Sequence, residues 1–114
     1  MDLTSVAGMM DLYLRKIIHP QAHENYRVIL KREDGEFEIG SIGIQHGIGA
    51  TEHWAWGIDP VIPMRAFETR GRGRDRRDCT RQFKAAWERF AADPANLTMF
   101  LTEKRRARRT PNPP

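Results

Sequence analysis

The sequence predicts a single α+β domain, with a three-stranded antiparallel sheet covered by an amphipathic helix and the elements in the order α-β-β-β-α-α. Three observations support this fold. Two stretches alternate apolar and polar residues around a Glu-Asp-Gly turn, and a third carries two tryptophans two residues apart. A longer stretch repeats apolar residues every three or four positions, which is the period of a helix. A chain of 114 residues is long enough to bury one core.

The first predicted element is a helix over residues 4 to 18. Apolar residues recur there at three- and four-residue spacing, and Pro20 follows the pattern. We expect this helix to cover the sheet or to pair with a second copy of the chain in a homodimer. A helix lying on a membrane would need more basic residues than Arg15 and Lys16.

Residues 26 to 32 and 36 to 45 are predicted to form a β-hairpin. Gly35 can adopt the positive φ that its turn needs. In the second strand the apolar positions change parity at Gly40-Ser41, which indicates a β-bulge. The low bulk of Gly40, Ser41 and Gly43 predicts that a helix packs against this part of the strand, although it would also let a ligand approach the backbone.

Residues 53 to 59 are predicted to form the third strand, which Pro60 ends. Trp54 and Trp56 point to the same side of this strand. We expect them to form the core beneath the long helix. The alternative is an exposed platform on which nucleic-acid bases stack.

The long amphipathic helix is predicted over residues 75 to 92, with Asp75 as its N-cap. Cys79 lies on its apolar face and is predicted to be a buried thiol. Residues 60 to 74 have no clear period, but their apolar side chains predict an ordered excursion with a short strand at residues 65 to 69.

A last helix is predicted over residues 94 to 105, because an Asp-Pro pair at its start favours a new N-terminus. The organisation predicted is an N-terminal helix in residues 1 to 20, a single α+β domain in residues 21 to 105, and a disordered basic and proline-rich tail in residues 106 to 114.

Charge is distributed unevenly along the chain. Residues 1 to 60 hold 5 Lys/Arg and 9 Asp/Glu, whereas residues 61 to 114 hold 14 and 6. Clustered cations favour a polyanionic partner, although the arginine content can also reflect genomic base composition. The single cysteine and the lack of a long apolar stretch predict a cytoplasmic protein with no membrane contact.

The predicted function is nucleic-acid binding through the phosphate backbone, with either DNA or RNA as partner. A glycine-arginine run at residues 71 to 74 leads into a helix N-terminus, where backbone N–H groups and arginines favour an anion. The run could equally be a solvated linker. The residues predicted to bind phosphate are Arg70, Arg72, Arg74, Arg76, Arg77, Arg81 and Lys84.

No catalytic residue, cofactor or metal ion is predicted. The glycines lack the Lys-Ser/Thr of a P-loop, and no nucleophile motif or pair of acids in an apolar setting occurs. His19 and His23 are separated by Pro20 and have no supporting ligand motif. The alternative function is therefore a protein-interaction module or small homodimer without enzymatic activity, with the N-terminal helix as its contact surface.

Three stretches of the chain resemble a family of small bacterial proteins. They are residues 38 to 45 (EIGSIGIQ), residues 54 to 66 (WAWGIDPVIPMRA) and the glycine-arginine run with the helix that follows it. The likeness covers about residues 26 to 104 and implies no activity.

The order of predicted elements is also similar to that of the double-stranded-RNA-binding domain. The second helix of that domain opens with a Gly-x-Gly-x-Ser-Lys-Lys-x-Ala-Lys pattern, in which Gly71 and Gly73 match and Arg76 and Arg77 keep the charge. Thr80 departs from the pattern, and the first hairpin lacks the Gly-Pro-x-His motif that enters the minor groove.

Overall fold

The computed structural model describes residues 11 to 18, 20, 24 to 46 and 51 to 109. In these ranges, antiparallel strands form one five-stranded sheet whose spatial order follows the chain, and two helices come after it. The elements are β1 (Leu12–Lys16), β2 (Asn25–Arg32), β3 (Gly35–His46), β4 (Glu52–Ile58), β5 (Arg70–Gly73), α1 (Arg76–Ala91) and α2 (Pro94–Arg109).

The α+β class is confirmed, but the predicted three-stranded sheet and the order α-β-β-β-α-α are wrong. The helix expected over residues 4 to 18 is replaced by β1, which pairs antiparallel with β2 so that Leu12 lies opposite Leu30 and Leu14 opposite Val28. This register lets both β1 leucines pack against the core, whereas a helix would leave the edge of β2 unpaired. Residues 4 to 10 of the predicted helix lie outside the described residues.

The three predicted strands are confirmed as β2, β3 and β4. Gly35 has a φ of 130° at the hairpin turn, which is the conformation expected for it. The β2–β3 register shifts between Val28 and Ile29, leaving Ile39 as the extra residue of a bulge. The bulge therefore lies next to Gly40, one residue before the predicted position.

The strand predicted at residues 65 to 69 is wrong, because the fifth strand is the glycine-arginine run itself. β5 pairs antiparallel with β4, with Gly71 opposite Trp56. The excursion that precedes it is ordered, as predicted, since Phe67 packs edge-on against Phe90 with ring centroids 5.4 Å apart. The Gly-Arg run is therefore neither a loop nor a solvated linker but the edge strand of the sheet.

Helix α1 covers one face of the sheet, as predicted. Asp75 caps it by accepting a hydrogen bond from the backbone N–H of Asp78. Trp56 and Phe83 pack edge to face with centroids 6.0 Å apart, and Cys79 is completely buried. The tryptophan side of β4 is therefore core, and the alternative of a base-stacking platform on that side is wrong.

Helix α2 packs against α1 through Phe100, whose ring centroid lies 5.0 Å from that of Trp87. It continues to Arg109, so the first four residues of the predicted tail are helical. Residues 110 to 114 of that tail lie outside the described residues. In the part of the chain that the structure describes, neither helix is long and apolar enough to cross a membrane.

Candidate nucleic-acid interface

The glycines of β5 face helix α1. A Cβ atom on Gly71 would lie 2.6 Å from Nε1 of Trp56, and one on Gly73 would lie 2.7 Å from Sγ of Cys79. These distances are too short for any side chain, so only glycine fits at both positions. The helix thus fixes which side of β5 faces inward.

The arginines of β5 consequently face the opposite side of the sheet, which we call the open face. Arg70 lies opposite Gly57 and Arg72 opposite Ala55 in the β4–β5 register. Both side chains are exposed and border a groove of about 580 Å³. We call this cavity the open-face groove; its floor consists of four small residues of β3 and β4, namely Ser41, Gly43, Ala55 and Gly57.

Three polar side chains also line the open-face groove: Asn25 from β2, Gln45 from β3 and His53 from β4. Gln45 and His53 lie opposite each other in the β3–β4 register, whereas Asn25 lies opposite Gly43. No hydrogen bond or ion pair joins any of the three side chains to another described residue. The Asn25 amide lies over Gly43, and Gln45 and His53 present further donors and acceptors to the groove.

The carboxylate at the end of the groove, Asp59, is paired with two cations. Asp59 accepts hydrogen bonds from Nη2 of Arg27 at 2.6 Å and from Nζ of Lys104 at 2.7 Å. Burial opposes ionisation of this carboxyl, but the two cations outweigh it and hold the pKa of Asp59 below its usual value. Arg27 also pairs with Glu38 at 2.8 Å. These four charges cancel, so the positive charge of the β5 arginines is not compensated by them.

Two of the predicted phosphate-binding residues, Arg74 and Arg81, contact Asp78, which is buried. Its carboxylate accepts a hydrogen bond from the backbone N–H of Arg74 at 2.9 Å and forms an ion pair with Arg81. The Arg74 N–H and the Arg81 guanidinium lower the pKa of Asp78 against the effect of burial. Arg74 and Arg81 therefore hold the turn between β5 and α1.

The other predicted residues lie around the N-terminal half of α1. Nη1 of Arg76 donates a hydrogen bond to the hydroxyl of Tyr26 at 2.7 Å, and its guanidinium lies over that ring at 5.1 Å. Arg77 is exposed, and Lys84 lines a separate cavity between α1 and β1. All seven predicted side chains are exposed. The structure nevertheless brings only the two β5 arginines together on one groove.

Sequence reasoning did not identify the floor of the groove. The small residues near Gly40 were expected to admit a helix, and Gly40 does so, since a Cβ there would collide with Phe83. Ser41 and Gly43 face the other side and form the floor instead. The signal that could have found the groove is the run of small residues in β3 and β4, but only the pairing register shows that they are adjacent.

No protein-family model matches this chain, and no match occurs among curated proteins or solved structures. Among the described residues, no three His, Cys, Asp or Glu side chains are grouped so that they could hold a metal ion. Burial raises the pKa of the Cys79 thiol to about 11, which makes it a poor nucleophile near neutral pH. The groove and its two arginines are thus the strongest basis for a functional proposal.

Proposed function

We propose that the chain is a cytoplasmic, non-enzymatic module that binds DNA or RNA through the phosphate backbone. One observation carries the proposal: Arg70 and Arg72 stand side by side on the rim of the open-face groove, exposed and without an acidic partner among the described residues. A guanidinium in this state can donate two parallel hydrogen bonds to a phosphate.

The wider charge distribution supports the same partner. Arg77 and Lys84 add exposed positive charge on α1, although Lys84 lines the cavity between α1 and β1 rather than the groove. Nucleic acid that contacts several cations releases condensed counterions, and this release drives binding. Arg74, Arg76 and Arg81 contribute to the field around the turn, but their side chains are engaged within the protein.

The proposal is tested by the salt dependence of binding. The double variant Arg70→Gln/Arg72→Gln removes two phosphate contacts, so the slope of log K against log salt should become shallower by about 1.4 for a single strand or about 1.8 for a duplex. The measurement is fluorescence anisotropy with labelled oligonucleotides at several salt concentrations.

The matched control is Lys31→Gln/Arg89→Gln, which removes the same charge from two exposed positions outside the groove. We expect its slope to stay close to that of the wild type. Equal slopes for the two double variants would contradict a specific role for the β5 arginines. A wild-type chain that binds no oligonucleotide at low salt would contradict the proposed function itself.

A homodimer is the second candidate, although its predicted contact, the N-terminal helix, is replaced by β1 over residues 12 to 16. The observation that favours it is the outer edge of β1, which pairs with no strand in the described ranges. The backbone N–H of Ile17 donates to the carbonyl of Asn25, so antiparallel alternation turns the N–H of Lys16 outward. If β1 edges pair, Lys16→Pro should convert a dimer into a monomer in sedimentation velocity; an unchanged sedimentation coefficient would exclude this contact.

A further inference from the structure

The open-face groove lies between β2 and β5 and has small residues on its floor. We infer that it binds a single-stranded polynucleotide, with phosphates at Arg70 and Arg72 and a base lying on the floor formed by β3 and β4. This inference rests on the proposed function and specifies its ligand. Three features of the groove carry it: the spacing of the arginines, the recessed floor and the unengaged polar side chains.

The arginines repeat at the spacing of one strand face. Residues two apart in a β-strand lie about 7 Å from each other on the same side. Consecutive phosphates of an extended polynucleotide can match such a spacing, so Arg70 and Arg72 can each hold one phosphate of the same strand. Gly71, which lies between them, packs against the Trp56 indole, and Gly73 packs against Cys79 of α1, which fixes both arginines on the open face.

The floor is recessed over β4, where Ala55 and Gly57 carry little or no side chain, whereas the side-chain amide of Asn25 fills the space over Gly43 on β3. A Cβ atom on Gly57 would have only Cγ of Arg70 at 3.7 Å and the carbonyl oxygen of Thr69 at 3.8 Å as neighbours, so the space above it is open. Ala55 is half-buried and adds one methyl group. A flat ring can therefore approach the backbone of β4 directly.

The dimensions of the groove favour a single strand. Its walls stand on β2 and β5, which are three inter-strand spacings or about 14 Å apart. A duplex is stiff over this length and keeps its bases stacked inside, so it would touch the rims without reaching the floor. A single strand can turn its bases outward and lower one of them between the rims.

The polar side chains stand where the edge of such a base would lie. Gln45 and His53 line the groove and offer both donors and acceptors, and the amide of Asn25 lies beside them over Gly43. The neutralised Asp59 at the end of the groove does not repel the phosphates. The groove thus combines cations for the backbone on one wall with hydrogen-bonding groups for bases on the other sides.

Filling the floor tests this inference. The variant Ala55→Leu places a branched side chain where the base would lie, on a half-buried strand position that lines the groove. Gly57→Ala raises the neighbouring part of the floor without a steric conflict, so its folding is not in doubt. Ala85→Leu is the matched control, since Ala85 is exposed on α1 and leucine is a good helix former. Thermal melts establish that each full-length variant is folded.

The binding assay uses fluorescence anisotropy with labelled oligo(dT), oligo(U) and a mixed-sequence duplex of equal length. We expect Ala55→Leu to lose affinity for the single strands by about tenfold or more, Gly57→Ala to lose less, and Ala85→Leu to bind like the wild type. Duplex binding through the rim cations should change by less than about twofold in all three. Unlabelled mononucleotide should compete far more weakly than the oligomers, because it offers one phosphate.

Each other outcome overturns a defined part of the reasoning. If Ala55→Leu binds single strands as tightly as the wild type while the wild type binds nucleic acid, the groove is not the single-strand site but the proposed function stands. Competition by a mononucleotide as strong as by the oligomer would assign the groove to a free nucleotide. If the wild type binds no oligonucleotide at low salt, the proposed function fails and the inference fails with it.

Discussion

Replacing Gly71 by alanine should destabilise the fold, whereas the same replacement at Gly57 should not. The two glycines lie on adjacent paired strands, but they face opposite sides of the sheet. A methyl group at residue 71 would lie 2.6 Å from Nε1 and 2.9 Å from Cε2 of Trp56. The indole must therefore move, and its hydrogen bond to Oε1 of Gln82, now 2.9 Å long, would break.

The cost of Gly71→Ala follows from these two effects. Overpacking a buried position typically costs about 1–3 kcal/mol, and the lost hydrogen bond adds about 1 kcal/mol. The sum of about 2–4 kcal/mol corresponds to a fall in Tm of roughly 8–16 °C for a domain of this size. Gly57→Ala meets no atom closer than 3.7 Å. It should leave Tm unchanged or raise it by a few degrees, because glycine is the less favourable residue in a strand by about 0.5–1 kcal/mol.

Circular-dichroism melts of the two variants and the wild type measure this difference. Equal Tm values for Gly71→Ala and Gly57→Ala would refute the register of β5. The refutation would extend to the site, because a shift of one residue would turn Arg70 and Arg72 away from the open face.

Three further predictions concern individual side chains. Because the folded-state pKa of Asp59 is lowered from 3.8, its ionised form stabilises the fold above about pH 4, and this contribution is lost as the pH falls towards the folded pKa. The free energy of unfolding measured by urea melts should therefore fall more steeply below about pH 4 for the wild type than for Asp59→Asn. Parallel curves for the two proteins would contradict this. Burial raises the pKa of the Cys79 thiol to about 11, so this thiol should not react with an aromatic disulfide reagent at about pH 8 until the protein unfolds. Full labelling of the native protein would show that the thiol is accessible. Asp75→Ala removes the cap of α1 and should lower the stability by about 1 kcal/mol, or roughly 4 °C in Tm, whereas Asp75→Asn should lower it less. Equal Tm values for the alanine variant and the wild type would rule out the cap.

The elements with strong local signals could be predicted from the sequence. Helix α1 has a cap and a complete apolar face, and the β2–β3 hairpin has alternation on both sides of a glycine turn. Strand β1 could not be predicted, because the leucines at 12 and 14 fit a two-residue period while Tyr13, Leu14, Ile17 and Ile18 also fit a helical one. Pairing with β2, which local periodicity does not report, decides between the two.

Strand β5 and the groove illustrate a second limit. A strand that buries glycine shows no apolar alternation, because Trp56 and Cys79 from neighbouring elements fill the space that its own side chains would take. Charge and the glycine-arginine run before a helix N-terminus identified Arg70 and Arg72 as candidates, together with five residues that lie elsewhere. The β4–β5 register separates the two arginines on the groove from the rest, and the β3–β4 register assembles the floor from two strands.

The most direct test of the central claim is a chemical-shift titration of the ¹⁵N-labelled chain with a short single-stranded oligonucleotide. We expect the perturbed amides to cluster on the open face, at the four floor residues of β3 and β4 and at Arg70 and Arg72 on β5. Perturbations confined to α1 and α2, or no perturbation at low salt, would contradict the assignment of the open-face groove as the nucleic-acid interface.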